Sequence, residues 1–288
     1  MELLTANLPY NHRVYFISDF HEGTILQDVS GLETTIQRIK HDPLARVVVG
    51  GDLAEAIMID DPRYSSETMD KGKDIPILQY RSVIERLRPI SGKILCIMAG
   101  NHDWKIVNRV GNLVRDYVCH ELNVPYGTYS VKITIKDPKD RPMYKLFYTH
   151  GNGTLNSTAP DPVTRLANMR GMLKRKLQHK FADCVLMGTA HNHKLVTLKP
   201  IPVLYLTTTE DKIQQHYTGS EQYAEYIHPD HRFYFSSGSF LKLFARGVSG
   251  YGELAGFDPH ELGYCIAHAE DGILKNVTRE ILHMEGGG

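Results

Sequence analysis

The 288 residues carry 33 Lys and Arg against 33 Asp and Glu, with 42% hydrophobic and 23% charged residues. This balance excludes a disordered chain and any global field toward nucleic acid or membrane, so polyanion binding would need a local patch. No basic stretch followed by an apolar one opens the chain, and no run reaches the roughly 18 apolar residues of a membrane span, so the expectation is an unsecreted, cytoplasmic protein. Cys96, Cys119, Cys184 and Cys265 are scattered, which suits buried thiols rather than a disulfide framework.

Arg13–Ser18 is a continuous apolar, β-branched and aromatic run that ends at Asp19, the pattern of a buried strand. Ser30 and Glu33 have capping-box spacing, and Leu32, Ile36 and Ile39 form one helical face before Pro43. A second strand at Ala45–Val49 runs into Gly50-Gly51-Asp52. The polar stretch from about 60 to 76 reads as a surface insertion near the site, and Ile77–Leu87 has helical spacing. A third strand, Lys93–Met98, runs into Gly100-Asn101-His102-Asp103. Three strand-to-helix units in a row predict right-handed βαβ connections, with ligands gathered outside the carboxyl ends of the strands.

From there a helix is predicted over Lys105–Leu122, then an alternating strand at Tyr129–Ile135, a turn at Asp137–Pro142 and a returning strand at Tyr144–Tyr148 that ends at His150. Val163–Lys180 is helical, with Leu166, Met169, Leu173 and Leu177 on one face, and Cys184–Met187 leads to His191-Asn192-His193. Val203–Thr207 and Phe233–Ser236 read as further strands, followed by a Gly-rich region from about 236 to 288. Within it, Arg246 and Tyr251 are candidates for a substrate loop, and Gly286-Gly287-Gly288 reads as an appended tail. One domain over 1–288 accommodates all of this.

Asp19 and His21 stand two residues apart on a chain leaving a strand; if it stays extended, both side chains point to one side and can chelate one cation. Asp52 follows two glycines and has two oxygens, which suits it to bridge two cations. Asn101 offers an amide oxygen; His150, His191 and His193 offer imidazoles. Counting Asp52 twice, the set supplies four ligands to each of two divalent metals. Carboxylate, amide and imidazole without thiolate favour Mn, with Fe, Zn, Mg or Ni as alternatives.

The ordered set Asp19-x-His21, Gly51-Asp52, Gly100-Asn101-His102-Asp103, His150 and His191-x-His193 resembles the calcineurin-like metallophosphoesterase superfamily. The match runs from Asp19 to His193. The resemblance implies a four-layer α/β/β/α sandwich. It implies one metal on Asp19, His21, Asp52 and His193, and a second on Asp52, Asn101, His150 and His191. It further implies that His102 contacts the phosphoryl group or protonates the leaving oxygen, with Asp103 as its orienting carboxylate. Ala190 stands where the pattern has glycine, with Gly188 nearby to take up the turn. Ser236–Phe240 is similar to the small-residue strand end that follows the last metal motif, and the Asp-Arg-Gly extension of the protein-phosphatase branch is missing after Asp52.

Two cations roughly 3.5–4 Å apart neutralise phosphate oxygens and make solvent the nucleophile for in-line displacement. The expected activity is therefore hydrolysis of phosphodiesters, with nuclease action suggested by the all-basic set Arg165, Arg170, Lys174, Arg175, Lys176 and Lys180, a set that equally suits a solvated helix face. The alternatives are a phosphomonoesterase acting on small metabolites or nucleotides and a non-catalytic scaffold of the kind found in the retromer subunit.

Overall fold

The computed structural model describes residues 1–283 apart from Asn192 and Ser220; the terminal Gly286-Gly287-Gly288 lies outside the described residues. In chain order the strands are β1 (Glu2–Asn7), β2 (His12–Ile17), β3 (Ala45–Val49), β4 (Ile94–Ile97), β5 (Ser130–Lys136), β6 (Pro142–Thr149), β7 (Leu186–Thr189), β8 (Leu195–Leu198), β9 (Leu204–Thr209), β10 (Lys212–Tyr217), β11 (Phe233–Ser237), β12 (Gly263–Glu270) and β13 (Ile273–Ile281). The helices are α1 (Val29–His41), α2 (Pro76–Leu87), α3 (Asn101–Lys105), α4 (Val107–Val110), α5 (His120–Leu122), α6 (Pro162–Leu177) and α7 (Tyr251–Leu254).

Two sheets stand face to face. One has five strands in the order β13-β12-β2-β3-β4, and the other has six, β1-β5-β6-β7-β11-β8. Between them pack Phe16, Val48, Leu146, Tyr148, Phe235 and Cys265, with the Phe16 and Phe235 rings 4.3 Å apart. The outer face of the first sheet, with Tyr15, Ile17, Val47 and Val49, is covered by Leu32, Ile36 and Ile39 of α1 and by Tyr80, Val83, Ile84 and Leu87 of α2. The outer face of the second, with Phe147, Met187 and Tyr234, is covered by Leu173 and Leu177 of α6. Helix, sheet, sheet and helix follow from the burial of these faces, so the architecture is the four-layer α/β/β/α sandwich. All four cysteines are buried and free, and no helix among the described residues is long and apolar enough to cross a membrane.

Strands β2, β3 and β4 pair parallel, with Ile17 opposite Val49 and Val49 opposite Ile97. Their carboxyl ends therefore lie side by side, as the predicted βαβ units require. Elsewhere the structure departs from the sequence expectation. The helix predicted over 105–122 is broken into α3, α4, a π-helical turn at Val114–Cys119 and α5, because Gly111 takes φ 81° and ends α4. The cap of α1 is Asp28, whose carboxylate accepts from Gly31 N, and not Ser30; Glu33 pairs with Arg86 instead. The strand expected at 203–207 is half of a β9–β10 hairpin that exposes Leu206, Ile213 and Tyr217.

Two glycines set how closely β3 and β4 approach at the site. A methyl at Gly51 would lie 2.4 Å from Gly100 N, and Gly51 has φ +94°. A methyl at Gly100 would lie 2.1 Å from Asp52 Oδ1 and 2.6 Å from His150 Cε1. Gly100→Ala should therefore destabilise the protein by about 1–3 kcal/mol, the cost of overpacking. Gly92→Ala, where a methyl meets nothing within 4 Å, should change stability by less than about 0.5 kcal/mol. Denaturant curves for the two variants test this, and a Gly100→Ala midpoint equal to wild type contradicts it.

Candidate metal centre

Every motif singled out in the sequence stands just past the carboxyl end of a strand. Asp19 and His21 follow β2, Asp52 follows β3, Asn101 opens α3 after β4, His150 follows β6, and His191 and His193 follow β7. Backbone hydrogen bonds tie these crossings together: Asp19 N donates to Gly51 O (3.0 Å), His21 N to Asp52 O (3.0 Å) and His191 N to His150 O (2.9 Å). The chain does not stay extended after β2. Asp19, His21, Asp52 and His193 adopt φ of 56°, 51°, 49° and 54°, a left-handed region that costs non-glycine residues of order 1–3 kcal/mol each. Four such residues at one spot turn their side chains inward where extended backbone would carry the chain past.

These side chains meet without satisfying one another. Both oxygens of Asp19, Asp52 Oδ2, His21 Nε2, His191 Nδ1 and His193 Nδ1 are buried and have no hydrogen-bond partner. Asp52 Oδ2 lies 3.4 Å from His150 Nε2, 3.8 Å from His21 Nε2 and 3.9 Å from His191 Nδ1, and Asp19 Oδ2 lies 3.4 Å from His193 Nδ1. Most of these spacings exceed a hydrogen bond, yet they are the separations of ligand atoms that share a cation at about 2.0–2.2 Å from each. Three sets of ligand atoms, each within 4.8 Å, overlap at shared residues: Asp19, His191 and His193; His21, Asp52 and His102; Asp52, His150 and His191. A buried carboxylate needs a counter-charge, so the residues present fit divalent cations.

The protonation pattern agrees. His150 Nδ1 lies 2.8 Å from the Gly50 carbonyl, which can only accept, so Nδ1 carries the proton and Nε2 faces Asn101 Oδ1 at 2.9 Å and Asp52. His21 Nδ1 donates to Glu55 Oε2 at 2.7 Å, leaving Nε2 for the centre. Burial alone would lower both histidines, but Glu55, Asp52 and Asp19 carry His21 up to about 9, and Asp52 and Asp19 carry His150 up to about 9. Burial also raises Asp19, against the opposing pull of His150. Each ring is held in the tautomer that points a lone pair, or an extra proton, at carboxylates. A bound cation would take the place of that proton.

Around His102 the arrangement differs from the expected one. His102 Nδ1 donates to the Glu55 carbonyl (2.6 Å), and its Nε2 accepts from Arg63 Nη1 (2.9 Å). Burial lowers its pKa, so the ring is neutral with no proton on Nε2 to give away. Asp103 does not orient it, because its carboxylate is drawn to Gly100 N (2.8 Å), Leu53 N (3.3 Å) and Tyr80 Oη (2.7 Å). Asp103 thus caps α3 and holds the Gly100 turn, with its pKa pushed up to about 6 by burial and then by Asp52. Ala190 does not adopt a left-handed backbone, and Gly188 is required by packing, since a methyl there would meet the Phe235 ring at 2.1 Å. Ser237 Oγ bonds Ser18 Oγ (2.9 Å) and Phe240 N donates to Asp19 O (3.0 Å), so the small-residue strand end backs the first motif.

Sequence reasoning missed Glu55, Arg63 and His260 here, and singled out Tyr251 only as a candidate for a substrate loop. Glu55 holds both His21 and His102. Arg63 comes from the insertion, and Tyr251, from α7, lies under its guanidinium at 5.8 Å. His260 stacks on His193 with ring centroids 3.8 Å apart and planes 6° from parallel. Only Glu55, three residues past Asp52, carried a local signal; the others reach the site by long-range contact.

No model of a known protein family matches the chain, and no curated protein matches it. Solved structures do. It is similar to Vps29 of Chaetomium thermophilum at 11% identity, covering 94% of this chain and 97% of that one, with a TM-score of 0.36. It is similar to the calcineurin-like phosphoesterase YfkN of Bacillus subtilis at 12% identity, covering 94% and 90%, with a TM-score of 0.41. It is also similar to the NAD nucleotidase NadN of Haemophilus influenzae at 12% identity, covering 94% of this chain but 50% of that one, with a TM-score of 0.38.

At this centre the raised histidines have a consequence for stability. Protons on His21 and His150 stabilise the metal-free fold fully below the ordinary histidine value near 6.5, and that contribution is lost as pH rises through about 9. Histidines shifted the other way, such as His102 and His193, act below 6.5 and not in this window. The melting temperature of the metal-free protein should therefore fall between about pH 6.5 and 9, whereas saturating metal should abolish the fall by taking the place of the protons. A metal-free melting temperature that is flat or rising across this window contradicts the assignment.

Proposed function

We propose that the chain is a phosphoric ester hydrolase that works with two divalent cations, Mn foremost. The observation that supports it is Asp52 Oδ2, buried without a hydrogen bond and facing His21 on one side and His150 and His191 on the other. Asp19, His21, Asp52 and His193 would hold one cation, and Asp52, Asn101, His150 and His191 the other. When bound, such cations neutralise phosphate oxygens and activate water for displacement.

The chain's own groups do the rest. Gly51 and Gly100 let the two strand ends close on each other, and Glu55 and the Gly50 carbonyl fix the planes of His21 and His150, as the outer partners of metal-binding imidazoles do. His102 Nε2 presents a lone pair toward Arg63, so it orients a donor at the reacting group; to act as a general acid it must first gain a second proton.

The diester and nuclease preference rests on α6 and its approach. Four of its six cations meet the chain's own acceptors: Arg165 the Ala159 carbonyl, Arg170 the Thr197 carbonyl, Lys174 the Asp230 carboxylate and Lys176 the Asn152 carbonyl. Of these four, Lys174 alone is neutralised, since a carbonyl acceptor leaves a cation charged, and the other three contacts hold their donors against the chain's own backbone. Arg63 beside His102 favours the monoester reading instead, because a monoester site must accept an additional negative charge.

With Mn added, the protein should hydrolyse p-nitrophenyl phosphate or its bis ester, and chelation should abolish the activity. Asp52→Asn should lose metal and turnover together, by about 10²-fold or more in rate. A protein without metal-dependent activity on any mono- or diester, or an Asp52→Asn variant of normal rate, overturns the proposal.

A further inference from the structure

The segment between β3 and α2 brings one cation to the centre, and its placement is built rather than incidental. Ile25 N donates to Thr68 O (2.9 Å), Asp70 N to Gly23 O (2.9 Å), and the Lys73 ammonium reaches the buried Glu22 carboxylate (2.5 Å). The insertion is thus laced to the loop that carries His21. Near its start, Asp61 grips Arg63 with both oxygens, Oδ1 on Nε at 3.1 Å and Oδ2 on Nη2 at 3.0 Å, while the Arg63 amide also donates to Oδ1 (3.0 Å). This fork fixes the guanidinium plane. Tyr251 lies under that plane, and Nη1 ends 2.9 Å from His102 Nε2.

A guanidinium has five N–H donors. Three are used here, on Nε, Nη1 and Nη2, so among the described residues one N–H of each Nη is left for a ligand. Asp61 is also approached by Lys105 Nζ at 3.8 Å, so Arg63 shares its carboxylate partner with a second cation. His102 lies edge-on to His21, with ring centroids 4.6 Å apart, and its amide donates to Asp52 Oδ1 (2.8 Å). Arg63 therefore stands beside the proposed cations, on the face where His102 would meet a reacting group.

We propose that Arg63 is a phosphoryl-binding arm: its remaining Nη donors take the anionic oxygens of a terminal phosphoryl group, which directs the site toward phosphomonoesters. The inference rests on the hydrolase reading above and deepens it by naming the substrate class. A monoester is dianionic near neutral pH and a diester monoanionic, so a fixed bidentate cation favours the monoester. Asp61 and Tyr251 are positioning residues that act through Arg63.

The test measures binding of inorganic phosphate to the Mn-loaded protein by calorimetry, together with kcat and KM for p-nitrophenyl phosphate and for bis(p-nitrophenyl) phosphate, which share a leaving group. Arg63→Met should weaken phosphate binding about 10- to 100-fold, the loss of one or two hydrogen bonds to a charged group. It should raise the monoester KM by a similar factor and change the diester KM less than about threefold, with metal content unaltered. Arg63→Lys keeps the charge and the segment but loses the fork, and should fall between Met and wild type. Phosphate affinity equal in wild type and Arg63→Met, a wild type that binds no phosphate, or equal losses on the two esters overturns the arm. Arg63-dependent phosphate binding in a protein that cleaves no ester keeps the arm and sinks the hydrolase reading instead.

Discussion

The structure depends on one unsatisfied carboxylate. Asp52 is fully buried, one oxygen accepts from the His102 amide, and the other faces three imidazole nitrogens without bonding any of them well. An ionised carboxylate in such a place is unstable unless a cation compensates it. The nearby charges nevertheless hold Asp52 well below the ordinary carboxylate range, against the opposing effect of burial. Of the charges that oppose burial at Asp52 the largest is that of His150, the arrangement of a site shaped for positive charge.

That requirement explains the local architecture. Parallel pairing of β2, β3 and β4 brings three chain crossings to one edge, but ligands converge there only if the backbone turns sharply. The four left-handed residues Asp19, His21, Asp52 and His193 make those turns, and they sit where glycine would normally be preferred. Strain of this kind persists only where the surroundings over-determine it. The Asp19–Gly51 and His21–Asp52 backbone bonds, the Asp103 cap on Gly100 and the Ser237–Ser18 contact supply that constraint.

Much of this was legible in the sequence, for identifiable reasons. Buried parallel strands read as continuous apolar runs, so Arg13–Ser18, Ala45–Val49 and Lys93–Met98 announced themselves, and each motif followed its strand directly. The alternation of Val131, Ile133 and Ile135 gave β5 in the same way. Strands at sheet margins were harder. β1 alternates between half-exposed and exposed residues, and β13 carries Lys275, Asn276 and Arg279 among its apolar positions, so neither has a strong pattern. At the site, residue type and order pointed to the metal-seeking set, but roles that depend on geometry were out of reach. The family resemblance made Asp103 the orienting partner of His102, whereas helix geometry turns it back onto its own N-terminus. Glu55 and Arg63 take its place because the loop after β3 folds over α3, a fact no local spacing encodes.

The central claim is that Asp52 lies between two cations, and anomalous diffraction from crystals of Mn-loaded protein tests it directly. Two anomalous peaks roughly 3.5–4 Å apart are expected, with Asp52 Oδ2 within bonding distance of both, His21 on one and His150 on the other. A single peak, or two peaks of which only one touches Asp52, would contradict the account.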